Sequence, residues 1–378
     1  MSATSPGGPP GTAPVGIAVV GCGTISDEYL RNLTSFPDLT VLFCADLDLT
    51  RAKDQAARYG VGASGTLAQA LEYPGVELVV NLTLPSAHAE VASAAVAAGL
   101  HVWNEKPLTT EPASGRALLA QAERAGVRVG CAPDTVLGAG LQTARRLISE
   151  GAIGAPQTAL TLMQSPGPES WHPSPEFLFQ PGAGPLFDLG PYYFSALAAI
   201  FGPASRVAAV GRQAAATRVI GSGPKAGTEF GVEVPTHVGA LVEYEGGGAA
   251  SLMFSFDSPL SRQGFVEITG TEGTMAVPDP NRFDGDIKIH GRDHERGHWE
   301  TIPSAGASAG RGLGVLDLAR GLRTGIPHRA TGQLAEHVLE VMVAVQASLE
   351  GAAFKPVDSA FVVPPPLPEE WDPYARTL

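Results

Sequence analysis

Short apolar runs alternate with longer stretches of helical periodicity through the first third of the chain. Val15 to Val20 is a β-branched run that stops at Gly21. Leu39 to Cys44 is a second and ends at Ala45-Asp46, and Val76 to Leu82, Leu100 to Trp103 and Val127 to Cys131 follow. Between them lie Ile25 to Leu33, Thr50 to Tyr59, Ala87 to Ala98 and Ala113 to Ala125, which are predicted to be helices. Strands alternating with helices of this length predict βαβ units. Unbroken apolar runs predict strands buried on both faces, and so a parallel sheet.

The pattern changes after Pro133. Leu141 to Ile148 reads as one more amphipathic helix, closed by Gly151. Strand-like runs then dominate: Thr158 to Met163, Val207 to Val210, Val238 to Tyr244, Ala249 to Phe256, Phe265 to Thr269 and Ile287 to His290. Gly246-Gly247-Gly248 predicts a hairpin and Thr271-Glu272-Gly273 another tight turn. This half is expected to be α+β with a largely antiparallel sheet. Leu334, Val338, Val341, Met342 and Val345 recur at helical spacing and predict a core-facing helix. No internal repeat is visible.

At 378 residues the chain has room for two domains, or three, at about 150 residues each. We expect a tail over 1–14, a dinucleotide-binding domain over 15–134, a substrate-binding and oligomerisation domain over 135–360 and an extended tail over 361–378. Hydrophobic residues at 44% and charged residues at 17% exclude wholesale disorder. A net charge of −13 argues against nucleic acid and anionic membranes as partners. Three cysteines (Cys22, Cys44, Cys131) make no disulfide scaffold or zinc-type spacing, and they fit a reducing compartment. No run approaches the roughly 18 apolar residues of a membrane span. Met1 to Pro14 lacks a basic segment and an apolar segment, so the expected location is the cytoplasm.

The chemistry starts at Gly21-Cys22-Gly23-Thr24-Ile25-Ser26, a G-x-G-x-x-G turn with Ser in the third glycine's place. It follows a predicted strand and opens a predicted helix, the context in which such a turn binds a pyrophosphate. Gly21 allows the turn, Gly23 lets the phosphates approach, and Thr24 and Ile25 supply the helix N-terminus. Asp46 ends the second strand, where an acidic residue binds ribose hydroxyls. With no Lys or Arg beside it, and Arg51 the nearest, NAD is expected over NADP. Asp48 reads better as a helix cap.

Further on, Asn81-Leu-Thr-Leu-Pro85-Ser-Ala-His88 leads through an Ala-rich helix to Gly99-Leu-His-Val-Trp-Asn-Glu105-Lys106-Pro107-Leu108. This block resembles the Gfo/Idh/MocA oxidoreductase family, whose hallmark is Glu-Lys-Pro after the fourth strand. Gly182-Ala-Gly184-Pro-Leu-Phe-Asp188-Leu-Gly190 resembles its second-domain signature, and Gly270-Thr-Glu-Gly273-Thr its sheet turn. The resemblance covers most of the chain. It implies that Lys106 sits beside the nicotinamide and the reacting carbinol, where a cation stabilises developing alkoxide charge. Glu105 would orient Lys106 or contact the nicotinamide ribose. Thr83, Pro85 and His88 would line the nicotinamide side of the groove, and the peptide before Pro107 is a candidate cis bond.

One departure stands out. Where the family often reads Asp-x-Gly-x-His, this chain reads Asp188-Leu189-Gly190-Pro191-Tyr192, so a phenol takes the place of the acid/base histidine. The proton carrier is then Tyr192, Lys106 itself, Lys106 through Asp188 and water, or His172 of Trp171-His172-Pro173. Core packing of Tyr192 and Tyr193 is an equal alternative. Asp134 and Thr135, at the domain junction, would bind substrate hydroxyls, unless Asp134 caps the following helix. His237 is a weak candidate, His337 reads as packed, and Arg311 and Arg329 are candidates to approach substrate from the rim. The implied activity is hydride transfer between NAD(H) and a secondary alcohol of a sugar, cyclitol or glycoside. An NAD-dependent glycosidase of the same fold and a non-catalytic NAD-binding regulator are the rivals. A homodimer or homotetramer through the C-terminal sheet is expected, and no metal.

Overall fold

The structure, a computed structural model, describes residues 13–293, 295, 297–306 and 309–378. The tail expected over 1–14 lies outside the described residues except for Ala13 and Pro14.

The first third of the chain runs β1 (Val15–Val20), α1 (Thr24–Leu33), β2 (Leu39–Ala45), α2 (Leu49–Tyr59), β3 (Ala63–Gly65), α3 (Leu67–Leu71), β4 (Leu78–Asn81), α4 (His88–Ala97), β5 (His101–Asn104), α5 (Pro112–Ala125) and β6 (Val129–Cys131). The six strands form one sheet in the order β3-β2-β1-β4-β5-β6 and every pair is parallel. Every residue of β1 and β4 is buried, as continuous apolar runs require of a sheet covered on both faces. The strand order reverses between β1 and β4, and the crevice outside the carboxyl ends at such a point is where ligands bind.

The chain continues with α6 (Ala139–Ser149), β7 (Pro156–Gln164), α7 (Gly184–Phe201), β8 (Ala204–Arg212), β9 (Thr217–Val219), β10 (Glu229–Gly231), β11 (His237–Tyr244), β12 (Ala249–Ser255), β13 (Arg262–Gly270), β14 (Gly273–Val277), β15 (Ile287–Gly291), β16 (Glu300–Ile302), α8 (Leu313–Thr324), α9 (Gly332–Gly351) and β17 (Lys355–Pro356). Nine of these strands form a second sheet, β16-β15-β14-β13-β7-β12-β11-β8-β17, antiparallel except where β7 runs parallel to β12. Gly246–Gly248 turns β11 into β12, and Thr271–Glu272 turns β13 into β14. The helices α7 and α9 cover one face, where Phe194, Leu197, Val338, Met342 and Val345 meet Val238, Leu252, Phe254 and Ile268.

The chain then returns to the first sheet. Leu313, Val315, Leu316 and Leu318 of α8 pack into the same core as Val15, Leu30 and Trp103. A Cβ on Gly314 would fall 1.9 Å from the Trp103 ring, so only glycine lets α8 come this close. The segment after 361 has no helix, but it is docked along both units. Leu367 is buried, its N–H donates to Gln142 at 2.6 Å, and the N–H groups of Thr377 and Leu378 reach buried Asp38 at 2.9 and 3.1 Å. Among the described residues, no helix is long and apolar enough to cross a membrane.

Candidate active site

The glycine turn is built by backbone. Gly21 has φ +94° and its N–H donates to Ala45 O at 2.8 Å, while any Cβ there would meet Leu82 O at 2.7 Å. A Cβ on Gly23, in contrast, would meet nothing within 4 Å, so the helix α1 opens onto free space. Gly23 is its N-cap and no side chain caps it, which leaves the amides of Thr24 and Ile25 to an outside acceptor. Ser26, in the third glycine's place, is fully buried: its hydroxyl donates to Gly23 O at 2.6 Å and accepts from Gln55 at 2.9 Å. The small polar side chain thus costs the turn nothing. Asp46 lies beside it, accepting from Cys22 N at 2.7 Å and Asp48 N at 2.9 Å. Asp48 caps α2. An open cradle of amide donors next to a fixed carboxylate acceptor is what a dinucleotide's pyrophosphate and ribose hydroxyls need.

The ends of β4 and β5 are tied by a pair of buried asparagines that sequence reasoning passed over. Asn81 donates to Asn104 Oδ1 at 2.9 Å and to His88 O at 3.2 Å; it accepts the Thr83 hydroxyl at 2.7 Å. Asn104 donates to Leu108 O at 3.0 Å. Paired amides at the carboxyl ends of neighbouring apolar strands were the available signal. Thr83 is half-buried and Pro85 exposed on the loop they hold. His88, expected to line the groove, is instead fully buried, its ring between Pro107 O at 2.6 Å and Thr83 O at 3.0 Å. A ring enclosed by two carbonyls has no nitrogen left for a ligand, so His88 fixes the two loops that flank the groove.

Glu105 accepts from Lys106 N at 2.8 Å and from the Tyr29 hydroxyl at 2.8 Å, and Tyr29 in turn accepts from Trp103 Nε1 at 3.3 Å. Its carboxylate therefore sets the direction in which the chain enters Lys106. The Lys106–Pro107 and Ala132–Pro133 peptides are cis. From this loop the Lys106 ammonium crosses to α7, donating to Asp188 O at 3.0 Å and standing 3.4 Å from Asp188 Oδ1. It also lies 5.4 Å from the centroid of the Tyr192 ring. Asp188 and Tyr192 share one face of α7 because they are four residues apart. Burial works against the Lys106 ammonium, but the Tyr192 phenol and the Asp188 and Glu105 carboxylates outweigh it and hold its pKa above the ordinary lysine value. A lysine kept charged donates hydrogen bonds and accepts no proton.

Tyr193 belongs to the core: it is 1% exposed, stands edge-on to Phe254 and accepts from Gly264 N at 2.7 Å. Tyr192 is buried in the same core, at 7% exposure, but its hydroxyl accepts from Arg311 Nη2 at 3.0 Å. Asp134 is fully buried and does not face the cleft: Oδ2 accepts from Gly312 N at 2.7 Å and Gly314 N at 3.3 Å, and Oδ1 lies 3.5 Å from Arg311 Nη1. It caps α8 rather than the helix after it in sequence. Thr135 is fully buried too. His172 sits between the rings of Trp171 and Phe177 and accepts from Ser174 N at 3.0 Å; among the described residues no contact joins it to Lys106, Asp188 or Tyr192. Arg329 pairs with Asp317, His337 is buried against Ala204 N and Ser359, and neither reaches the site.

Two family models cover the chain in turn. Residues 15–132 match the oxidoreductase family with an NAD-binding Rossmann fold, and residues 141–276 match the GFO/IDH/MocA C-terminal domain. The chain belongs to the Gfo/Idh/MocA oxidoreductase family. As a member, it is an NAD-binding oxidoreductase. It is 25% identical to trans-1,2-dihydrobenzene-1,2-diol dehydrogenase of Sus scrofa over 81% of this chain and 86% of that one. A crystal structure of an NAD binding oxidoreductase from Klebsiella pneumoniae shares the fold, with a TM-score of 0.78 and 24% identity over 92% of this chain and all of that one. So does levoglucosan dehydrogenase in complex with NADH and L-sorbose, with a TM-score of 0.78 and 19% identity over 91% of this chain and 99% of that one.

Proposed function

We propose that this protein transfers a hydride between NAD(H) and a secondary alcohol of a sugar, cyclitol or glycoside. The observation that carries this is the Lys106 ammonium held between Asp188 and the Tyr192 ring, just after the carboxyl end of β5. The bound nicotinamide would supply the two-electron acceptor. Gly21, Gly23, Thr24 and Ile25 would hold the pyrophosphate and Asp46 the ribose hydroxyls, with NAD preferred over NADP. Thr83, Pro85 and Glu105 would border the nicotinamide.

Lys106 donates to the carbinol oxygen and stabilises negative charge as it develops there. Asp188 aims it. Tyr192 exchanges the hydroxyl proton, in the place where many relatives have histidine. The test is a panel of sugars and cyclitols, followed by nicotinamide absorbance, with wild type and Tyr192→Phe. We expect NADH formation with at least one polyol and a loss of turnover of about 10²- to 10⁴-fold in Tyr192→Phe. Glycoside cleavage without net NADH would overturn the assignment. Turnover retained in Tyr192→Phe would remove the phenol from the mechanism.

The outer face of the second sheet supports self-association. Leu160 of β7, Leu241 of β11 and Val210 of β8 are 43%, 52% and 76% exposed there, with exposed Ser251 of β12 between the two leucines. A second copy of the chain would cover these side chains.

A further inference from the structure

Arg311 lies 119 residues after Tyr192, in the loop that enters α8, yet its guanidinium donates to the phenol oxygen. The contact is built, not incidental. The Arg311 side chain is 16% exposed, its Nη1 stands 3.5 Å from buried Asp134, and its carbonyl accepts from Asn32 at 2.7 Å. The next amide, Gly312 N, is held by the same Asp134. Asp134 thus aligns the loop through its backbone and the guanidinium through its charge.

We propose that Arg311 is a positioning residue of this active site, one that fixes the direction of the Tyr192 hydroxyl. This rests on the proton-carrier role proposed for Tyr192 above. A guanidinium has five donors and no acceptor. By filling one acceptor site of the phenol oxygen it leaves the Tyr192 proton to be given elsewhere, and among the described residues that oxygen has no other partner. A substrate hydroxyl in the crevice is then the natural partner. In the oxidative direction the carbinol C–H and O–H bonds break and a C=O bond forms. Two electrons leave with the hydride to NAD, the proton goes to the Tyr192 phenolate, and from there to water.

Two cations flank the ring: Lys106 Nζ is 5.4 Å and Arg311 Cζ 5.5 Å from its centroid. The other ionisable groups facing this cluster are Asp188 on α7, Glu105 after β5, Asp134 after β6 and Tyr29 on α1. Lys106 already has a carboxylate at 3.4 Å on α7. Arg311 is the cation that touches the phenol oxygen, so its removal should free the hydroxyl to turn.

The test compares wild type, Arg311→Lys, Arg311→Met and the double variant Asp134→Asn/Arg311→Met, which leaves no buried carboxylate unpaired if Arg311→Met alone fails to fold. The first readout is kcat against KM. We expect kcat to fall about 10- to 100-fold in the Met variants with KM and NAD affinity within a few-fold of wild type, and Arg311→Lys to restore part of it. The second is Arg311→Met made in Tyr192→Phe, which should cost little more than Tyr192→Phe alone, because the arginine acts through the phenol. Wild-type kcat in a folded Met variant, or a full further loss on the Tyr192→Phe background, would overturn the proposal. Turnover retained in Tyr192→Phe itself would instead refute the proton-carrier role.

Discussion

Lys106 and Asp46 carry different parts of the account and can be separated one residue at a time. Asp46 is rigid, with both oxygens taken by backbone amides at 2.7 and 2.9 Å, so it cannot swing away from a 2′-phosphate. Two like charges about 4 Å apart repel by up to about 4 kcal/mol at an effective dielectric near 20. Water at this half-exposed position removes part of that, and we expect NAD to be favoured about 10- to 100-fold. Isothermal titration with both cofactors checks this: Asp46→Ala should narrow the gap, and equal affinities in wild type would contradict the ribose assignment. The Glu-Lys-Pro triplet, Asp188 and Tyr192 were legible in the sequence. Arg311 was only a rim candidate there, because nothing local in a Gly-Arg-Gly stretch tells that it meets a phenol 119 residues away.

At the scale of elements, five of the first sheet's six strands follow their hydrophobic pattern, because short apolar runs and intervening helices have distinct periods; β3 is three residues with no apolar run, and it escaped together with α3. The helices α7 and α8 escaped that pattern. In α7 the apolar residues go round the helix, since it is buried on most sides, and Gly190-Pro191 interrupts it in the way a loop would. A Cβ on Gly190 would lie 3.0 Å from Met342 Sδ of α9, so the two helices pack closely there. Between α8 and α9, His328 is 6% exposed with Nε2 3.2 Å from Val129 O of β6. Burial, with Arg128 adding to it, pushes its pKa down from 6.5 to about 4. The unfolded chain then binds a proton that the folded one refuses, so stability is intact above pH 6.5 and is lost as pH falls towards 4, by up to roughly 3 kcal/mol. Urea unfolding at pH 7 and pH 4.5 checks this, with His328→Asn expected to show a smaller loss than wild type.

The whole molecule is held by a chain that returns twice from its second sheet to its first. It leaves the first at β6, builds the second, returns as α8, and returns again when the terminal segment reaches Asp38. Arg320 of α8 reinforces that last contact, pairing with Asp38 at 2.8 Å and stacking 4.7 Å from Trp371. These returns bring Lys106 and Arg311 to 5.4 and 5.5 Å from the centroid of the Tyr192 ring. A sequence pattern shows which elements exist but not that a late helix packs on an early sheet. On the outer face of the second sheet, Leu241→Glu should dissociate an oligomer into monomers by light scattering while turnover per chain persists; a wild type that is already monomeric would refute the interface.

A charged lysine after β5, and not merely a bound dinucleotide, is what the proposed hydride transfer requires. The most direct measurement is turnover of Lys106→Ala alongside its NAD affinity, on whichever polyol the wild type oxidises. We expect turnover to fall by about 10² to 10⁴ with NAD binding changed by only a few-fold. Near-normal turnover in a variant that still binds NAD would contradict the account.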